Sequence, residues 1–497
     1  MTKLYCSGTL GLIFGYLSGY NLYFSSAIVK VSILIFLTSL LFLQKAKHDI
    51  WLKYVLHVTL AFTVLFIYGN IAGHNLSIAE VDKGQNINVD AVVREVTIKD
   101  SAKILEVDFI KKDTQMNYDS AAVYTYGQDS FYPDEVIKIS GYVSESFIIL
   151  PKDKETDFKS FDLGLYFQTK NIDGVMMNPK ISTSNFSETN KNHSLNYYAY
   201  KFRESFRSNL NVSMPSEEAG IVMAMLWGDE TGISKNTNEI YKKGGLSHVL
   251  VLSGYNLSIL VFLSVVVFKK FSLNKKLFSS FFLVSIFLLF AKTGTSVWRA
   301  AFMSFYFMLS TLFMRDINIK FLVWLCAFMF SLLSIRTALF DISFHLSIMA
   351  TISIVYLQPA LKDIFKIIKN NTMKDVLSVT ISASIGVAPY LMYQFAYFNI
   401  LGIFISAIVS LFVPLIMLFG FLSGSIAYVS VLFGKILAYP TFLFTNIMSD
   451  MATISANSGS LISHPIKFYT MCLLYTIIFI SYYLLNFSSS YKRSINQ

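Results

Sequence analysis

Polar and ionisable residues gather between positions 215 and 260, where the surrounding sequence is strongly apolar. An apolar run at 219–227 is too short for a bilayer, which needs about 20 residues, and it stops at Gly228-Asp229-Glu230. Polar groups inside a membrane segment usually face a cavity or one another, and glycines there allow close packing or broken helices. The stretch is therefore predicted to line a pathway or to hold helices together, with candidate residues Gly228, Asp229, Gly245, His248, Ser253, Gly254 and Asn256.

The same stretch offers only a superficial match to a nucleophile and its base, Ser253 and His248. The two residues lie five positions apart on one predicted span, and no acidic residue is placed to orient the histidine. The seven histidines include no HxH pair, and the three cysteines, all in apolar runs, form no CxxC motif. A GxxxxGK[ST] phosphate-binding motif is absent as well. We therefore predict no catalytic residue, no metal site, no cofactor and no enzymatic activity for this sequence.

Three candidate site residues have both a functional and a structural explanation. Arg299 follows Trp298 at the end of a predicted span, where its guanidinium could guide phosphates or reach the membrane interface. Asp341 precedes another predicted span, where capping of that helix explains it as well as substrate contact does. His248 could line a pathway or hydrogen-bond a neighbouring helix.

The elements that must position these residues are those of a polytopic α-helical membrane protein. Of 497 residues, 54% are hydrophobic and 14% are charged, whereas a soluble domain carries about 25% charged residues. We predict about eleven or twelve transmembrane helices. The predicted spans are 4–20, 27–43, 51–68, 246–268, 277–291, 297–313, 319–335, 342–357, 376–395, one or two within 398–443, and 466–486.

Residues 76–190 hold no spanning run, and their apolar and polar residues alternate as in strands. Strands are predicted at 87–98, 103–110, 121–127, 135–143 and near 174–182. Five short strands favour a small barrel, above all an oligonucleotide/oligosaccharide-binding (OB) barrel. Such barrels hold single strands by aromatic stacking in a basic groove, and the aromatic candidates are Tyr118, Tyr124, Tyr126, Phe131 and Tyr132. The net charge of −7 in this block repels a polyanion, so a gate or plug is an equal alternative.

The formal charge of +10 is explained by orientation in the membrane. Since the β block carries −7, the rest carries +17, mostly in short loops between apolar runs. Cytoplasmic loops collect lysine and arginine, which predicts a cytoplasmic N-terminus and an external, periplasmic β block. The predicted domains are transmembrane helices in 1–75, an OB-like domain in 76–190, an amphipathic connector in 191–215 and a transmembrane channel domain in 216–497.

Taken in order, the motifs resemble those of the ComEC/Rec2 competence family, inner-membrane channels that pass single-stranded DNA during bacterial transformation. Residues 228–234 (GDETGIS) resemble the family segment that begins with GD and ends with GL/IS, and 245–257 resemble GLxHLLAxSGLHV. Residues 298–303 are similar to VRAxxM, and 341–347, with Asp341 and Phe344, are similar to DxGFxLSF. The Pro389…Phe395…Asn399 region and the close of the β block continue the resemblance.

The resemblance implies a bacterial inner-membrane channel for single-stranded DNA, with a pathway lined by 245–257 and 296–299. It implies a separate motor ATPase or helicase and a separate nuclease as partners, next to the DNA and the lipid bilayer, and it is compatible with a homo-oligomer. Two features depart from the family. Its usual SGLH is Ser253-Gly254-Tyr255-Asn256 here, which leaves Asn256 a hydrogen-bonding or packing role, and a metallo-β-lactamase-like HxHxDH domain has no counterpart, so no nuclease activity is expected.

Two other functions remain open at this point. The same scaffold could serve as a transporter or flippase for another solute. It could also be a non-catalytic membrane scaffold whose external domain binds partners. Uptake of labelled DNA by a deletion strain separates the first prediction from both alternatives.

Overall fold

The computed structural model describes residues 85–495, except for 100–101, 111–118, 127–130, 145–147, 150–160, 163–165, 168–169, 171, 184–192, 293, 314–318, 334–340, 460 and 463–465. Its first part is made of strands. They are β1 Gln85–Lys99, β2 Ala102–Phe109, β3 Ser120–Thr125, β4 Val136–Ser144, β5 Ile148–Ile149, β6 Phe161–Asp162, β7 Gly174–Met177 and β8 Lys180–Thr183. The predicted spans 4–20, 27–43 and 51–68 lie outside the described residues.

Five of these strands close into a barrel. The order is β1-β2-β3-β7-β4, and β4 pairs back to β1. The pairing of β3 with β7 is parallel, while the other pairings around the barrel are antiparallel. Strand β8 extends the sheet by pairing with β4. The predicted OB-like barrel is therefore confirmed.

The length of β1 explains how the barrel closes. Its first half, up to Val92, pairs with β4, and its second half, from Ala91, pairs with β2. A bulge between Val93 and Glu95 bends the strand between its two partners, as bulges do at barrel corners. Alternate apolar side chains then point to one interior, including Val89, Ala91, Val93, Leu105, Val107, Val123, Ile137 and Ile139.

The strand predictions hold except at the end of the block. One strand was expected near 174–182, but the chain forms β7 and β8 with a turn at Asn178-Pro179. Asn178 has φ +48° there, a left-handed conformation that asparagine adopts more readily than most residues. A proline adds no backbone N–H, so the strand cannot continue through this position.

The remainder of the described chain is helical. The helices are α1 Leu195–Ser213, α2 Ser216–Trp227, α3 Lys235–Lys243, α4 Ser247–Leu250, α5 Gly254–Val267, α6 Leu273–Phe290, α7 Thr295–Leu312, α8 Ile319–Leu333, α9 Ile342–Ile364, α10 Asn371–Phe395, α11 Ile400–Ile426, α12 Val431–Asn457 and α13 Phe468–Ile495. Short 3₁₀ turns occupy Glu230–Gly232 and Phe365–Ile367. Two short strands, β9 Phe398–Asn399 and β10 Leu461–Ile462, pair with each other.

Within the described residues, five helices are long and apolar enough to cross a membrane. They are Leu273–Phe290, Ile342–Ile367, Met373–Phe395, Ile400–Ile426 and Val431–Asn457. Together with the barrel they confirm the predicted fold class, a polytopic helical membrane protein with an inserted OB-like domain. The total of eleven or twelve spans stays a prediction.

Two predicted spans differ from the structure. The span 246–268 is interrupted, because α4 ends at Leu250 and α5 starts only at Gly254. The region 398–443 contains two helices, and the second, α12, continues to Asn457. Its polar C-terminal half, with Asn446 and Asp450, hid that continuation in the hydropathy pattern.

The 191–215 connector and the short apolar run next to it are packed inside the protein. In α1 the buried residues Ala199, Arg203, Phe206 and Leu210 recur every three or four positions, so one face packs against α6, α11 and α12. In α2 every residue from Ala219 to Trp227 is buried. A helix that is apolar all round and too short to span is thus enclosed by its neighbours.

Candidate functional site

The Gly228-Asp229 pair ends α2 in a turn that needs glycine. Gly228 has φ +72° and caps the helix. A Cβ added there would lie 2.5 Å from the carbonyl oxygen of Lys292. Left-handed backbone geometry and this close approach both exclude a side chain.

Asp229 is buried and engages the positive charge of α1. Its carboxylate forms an ion pair with Arg207, which also contacts Glu204 at 2.9 Å. The other carboxylate oxygen accepts the backbone N–H of Thr231 at 3.3 Å. Burial alone would raise the pKa of Asp229, but Lys292 and Arg207 outweigh it and hold the pKa below its ordinary value of 3.8. The carboxylate is therefore ionised at neutral pH.

Lys292 joins this turn to the β-barrel. Its Nζ donates to the carbonyl of Val96 and the hydroxyl of Thr97, each at 3.0 Å, and lies 3.5 Å from the Glu95 carboxylate. Its backbone N–H donates to the carbonyl of Trp227 at 2.7 Å. One residue thus holds strand β1 against the end of α2, so the Gly228-Asp229 motif lies at the junction of barrel and helices.

Gly245 lies at a second junction, where α3 meets the start of α11. Gly245 has φ +76°, and a Cβ on Gly402 of α11 would lie 2.4 Å from the carbonyl oxygen of Gly244. Asn399 caps α11 by accepting the N–H of Gly402 at 2.9 Å. Its amide also donates to the carbonyls of Lys243 at 2.8 Å and Ser455 at 3.0 Å. Asn399 therefore ties three helices together at one buried point.

Replacement of Asn399 by alanine is expected to lower the free energy of unfolding by about 2 kcal/mol, because buried groups would lose three hydrogen bonds. The control is Asn370→Ala, since Asn370 is exposed and caps α10 with a single hydrogen bond to Met373 N–H at 3.2 Å. That change should cost about 1 kcal/mol or less. Thermal unfolding of both purified proteins in detergent compares them, and equal shifts would contradict the three-helix role of Asn399.

The interruption between α4 and α5 places polar side chains on two sides of a broken helix. Asn256, 3% exposed, donates from its amide to the carbonyl of Met225 in α2 at 3.0 Å. Its amide oxygen accepts the hydroxyl of Ser253 at 3.3 Å. Gly254 starts α5, and a Cβ there would lie 2.9 Å from the Cβ of Ala300 in α7. This side of the break is used for helix packing.

The other side of the break is exposed. His248, Val251, Tyr255 and Ser258 recur every three or four residues, and all four are exposed. The imidazole Nε2 of His248 lies 3.1 Å from the Ser406 hydroxyl in α11. The Tyr255 hydroxyl donates to the carbonyl of Ser410 at 3.0 Å. Ser410 lies four residues before Pro414, which has no N–H, so Tyr255 satisfies a carbonyl that α11 itself leaves free.

Arg299 connects α7 to α9 and is 2% exposed. Its Nε donates to the Thr295 carbonyl at 3.2 Å and its Nη2 to the Ser343 carbonyl at 3.1 Å, while the guanidinium lies 5.0 Å from the centre of the Phe344 ring. Asp341 caps α9 by accepting the Ser343 N–H at 2.9 Å and also accepts the Thr295 hydroxyl at 2.5 Å. The Arg299 side chain is thus enclosed by protein, whereas its neighbour Trp298 is 50% exposed.

Eight of the eleven predicted site residues lie on neighbouring elements that contact one another between α2 and α9. Gly228 approaches Leu252 of the broken segment, Asn256 reaches α2, Gly254 touches α7 and Arg299 reaches α9. Gly245 and His248 contact α11 instead, at Gly402 and Ser406, and Trp298 is exposed on α7. Its role, and a pathway role for any of these residues, stay predictions.

Sequence reasoning missed Arg207 and Lys292, and it placed Asn399 only within a region of family resemblance. The signal for Asn399 was present, since an asparagine directly before an apolar run is a typical helix cap. Arg207 and Lys292 gave no such signal, because their partners Asp229 and Val96 lie 22 and 196 positions away along the chain.

The barrel aromatics are mostly engaged inside the protein. Phe131 belongs to the barrel core, Tyr124 stacks edge-on against Phe167, and Tyr132 does so against Tyr200 of α1. Tyr126 is 58% exposed, and Tyr118 lies outside the described residues. Among the described candidates, Tyr126 is thus the best placed for stacking with a ligand.

These junctions and the broken helix fall within one stretch that matches a known family. Residues 225–488, more than half of the chain, match the family model described as Competence protein. The chain belongs to the Competence protein family. All eleven predicted site residues lie inside the matched part, and the predicted ComEC/Rec2 resemblance is confirmed.

One curated relative of this Competence protein is ComE operon protein 3 of Bacillus subtilis (strain 168). The two are 24% identical over 328 residues, which cover 64% of this chain and 40% of the relative. The chain thus spans less than half the length of that relative. No solved structure matches this Competence-family chain. Family membership and the five helices long enough to span identify a multi-pass inner-membrane protein.

Proposed function

We propose that this Competence-family chain takes part in DNA uptake and forms a membrane channel through which single-stranded DNA enters the cytoplasm. The observation that carries the proposal is the broken helix at 251–253, together with family membership. Non-helical backbone within a membrane is tolerated where it is buried in protein or lines a water-filled cavity. Here one side of the break packs on α2 and α7, and the opposite side is exposed.

The exposed side has the chemistry that a polyanion requires from a narrow pathway. His248, Tyr255 and Ser258 make this face polar without a fixed negative charge, and Val251 adds an apolar surface between them. Their side chains already form hydrogen bonds to Ser406, Ser410 and Gly254 within the protein, so they hold no DNA group tightly. Such a lining binds a nucleic-acid strand weakly enough to release it, as conduction requires. We assign the packing residues Asn256, Gly254 and Arg299 to the support of this face and not to DNA contact.

The remaining domain assignments belong to the same proposal. The OB-like barrel in 76–190 lies on the external side, and the helical block from 216 onward forms the channel, joined by the connector at 191–215. The N-terminus faces the cytoplasm. A separate ATPase or helicase drives the strand, and a separate nuclease supplies it.

Deletion of the gene in the source bacterium tests the function. We expect loss of transformation and loss of labelled-DNA entry into the cytoplasm, both restored by the intact gene. A strain that transforms normally but no longer moves a small solute would instead indicate a transporter or flippase. If transformation survived substitutions at the broken helix but was lost on substitutions in the barrel, the protein would be a scaffold.

A negative charge on the exposed face is expected to reduce transformation. In Val251→Glu the carboxylate would lie near passing phosphates, and at about 7 Å with an effective dielectric constant of about 20 the repulsion is about 2 kcal/mol, or more than tenfold. Val251 is 46% exposed, so the change leaves the core intact. Transformation frequency at equal membrane abundance measures the effect.

Two variants control for the bulk and for the charge of this change. Val251→Gln has the same size without the charge, and Val429→Glu puts the charge on a 91% exposed residue after α11. Both should transform within about twofold of the intact protein. If Val251→Gln lost as much activity as Val251→Glu, size and not charge would matter, and the proposed DNA-facing surface would be wrong.

A further inference from the structure

A groove between α6 and α7 forms a second candidate site, and no residue of the broken segment lines it. Its volume is about 640 Å³, within the range of ligand pockets. Phe271, Phe278 and Phe281 line one wall, and Met308, Leu309 and Leu312 of α7 line the other. The walls are apolar along their length, so the groove suits a hydrocarbon chain.

The mouth of the groove is basic. The loop that leads into α6 and the first turn of that helix carry Lys269, Lys270, Lys275 and Lys276, and Lys275 lines the groove itself next to Asn274. None of the four lysines has an acidic partner among the described residues. Unpaired positive charge at one end of an apolar groove is complementary to a negative headgroup above a hydrocarbon tail.

The dimensions fit one leaflet of a bilayer. Helix α6 is apolar and long enough to span a membrane, and Leu273 is its first residue. From Leu273 to Phe281 the groove descends about 12 Å at 1.5 Å per residue. One leaflet contributes about half of the ~30 Å hydrocarbon thickness. The site thus has the depth of a single lipid with its headgroup at the lysines.

We propose that this groove is a binding site for one anionic phospholipid of the surrounding bilayer. The phosphate is held by Lys275 and Lys276, Asn274 adds a hydrogen-bond donor, and an acyl chain lies between α6 and α7. Lys269 and Lys270 add attraction at longer range. The proposal is independent of DNA passage, since it concerns a different face of the helical block.

Native mass spectrometry of the purified full chain in neutral detergent tests the selectivity. The chain is titrated separately with phosphatidylglycerol and phosphatidylcholine, and bound lipid is counted. We expect tighter binding of phosphatidylglycerol, and the preference should fall about fivefold for each lysine removed in Lys275→Gln and Lys276→Gln. Equal affinities of the intact chain for the two lipids would overturn the proposal.

Matched variants separate a site from general charge attraction. Lys369→Gln with Lys374→Gln removes the same charge from the other lysine-rich loop and should leave the preference unchanged. Leu309→Trp fills the groove and should weaken binding of both lipids, whereas Leu289→Trp, on an exposed position outside it, should not. An equal loss in the Lys369/Lys374 pair, or full competition by inorganic phosphate at equal concentration, would refute a lipid site in this groove.

Discussion

Replacement of Gly228 by alanine is expected to lower the free energy of unfolding by about 3 kcal/mol. A residue with a Cβ pays about 1–2 kcal/mol in the left-handed conformation that Gly228 adopts at φ +72°. Its Cβ would also lie 2.5 Å from the Lys292 carbonyl, and overpacking typically costs about 1–3 kcal/mol. The Lys292 side chain also bonds to Val96 and Thr97 of the barrel. A shift of the Lys292 backbone to make room for the Cβ would therefore disturb these hydrogen bonds. Thermal unfolding of the purified chain in detergent measures the change.

Gly294→Ala is the matched control for this substitution. Gly294 precedes α7 with φ −84°, and nothing lies within 4 Å of an added Cβ. The free energy of unfolding of this variant should change by about 0.5 kcal/mol or less. If both alanine variants unfolded at the same temperature, the close approach of Gly228 to Lys292 would not exist in the folded protein.

Asp229→Asn is expected to cost about 3–5 kcal/mol, since it removes the partner of a buried charge. The Asp229 and Arg207 side chains are 6% and 16% exposed, and loss of one partner leaves the other uncompensated in a poorly solvated place. A double-mutant cycle with Arg207→Gln isolates the pair, because the double variant should lose clearly less than the sum of the single losses. Additive losses would show that the two side chains do not interact.

Asp229→Asn should also change how the free energy of unfolding depends on pH. Because the folded pKa of Asp229 is lowered, its contribution to stability is present above its ordinary value of 3.8 and is lost as the pH falls through the lower folded value. Unfolding between pH 3 and pH 7 should therefore show less acid destabilisation in Asp229→Asn. The exposed pair Arg94–Asp108, with both side chains 44% exposed, is the comparison, and its removal should cost less than about 1 kcal/mol.

The sequence was sufficient where local patterns determine structure. Alternating residues in 87–98 and 135–143 gave the barrel strands, because each strand has one face in the interior. Apolar runs such as 277–291 predicted membrane helices, because a helix that crosses the hydrocarbon must be apolar along its length. The candidate residues between 215 and 260 were found through their unusual polarity in an apolar setting, whereas Trp298 and Phe344 came from the family resemblance.

The sequence was insufficient where contacts between residues far apart along the chain determine the structure. Hydropathy alone could not show the break at 251–253, since Val251 and Leu252 are as apolar as a continuous span requires. Arg299 at the end of a span looked accessible, but the carbonyls and the aromatic ring that enclose it come from α7 itself and from α9, 44 residues away. Lys292 binds a strand 196 residues earlier, which no local pattern encodes.

The hydrogen bond from Tyr255 to Ser410 has a mechanical consequence. At most points a helix resists bending because its own hydrogen bonds must stretch, but Pro414 has already removed the bond that would oppose bending at Ser410. The free carbonyl is anchored to Tyr255 on α5, so a bend of α11 at this point pulls on the broken helix directly. A bend of α11 at Ser410 would therefore displace α5, the helix that follows the break.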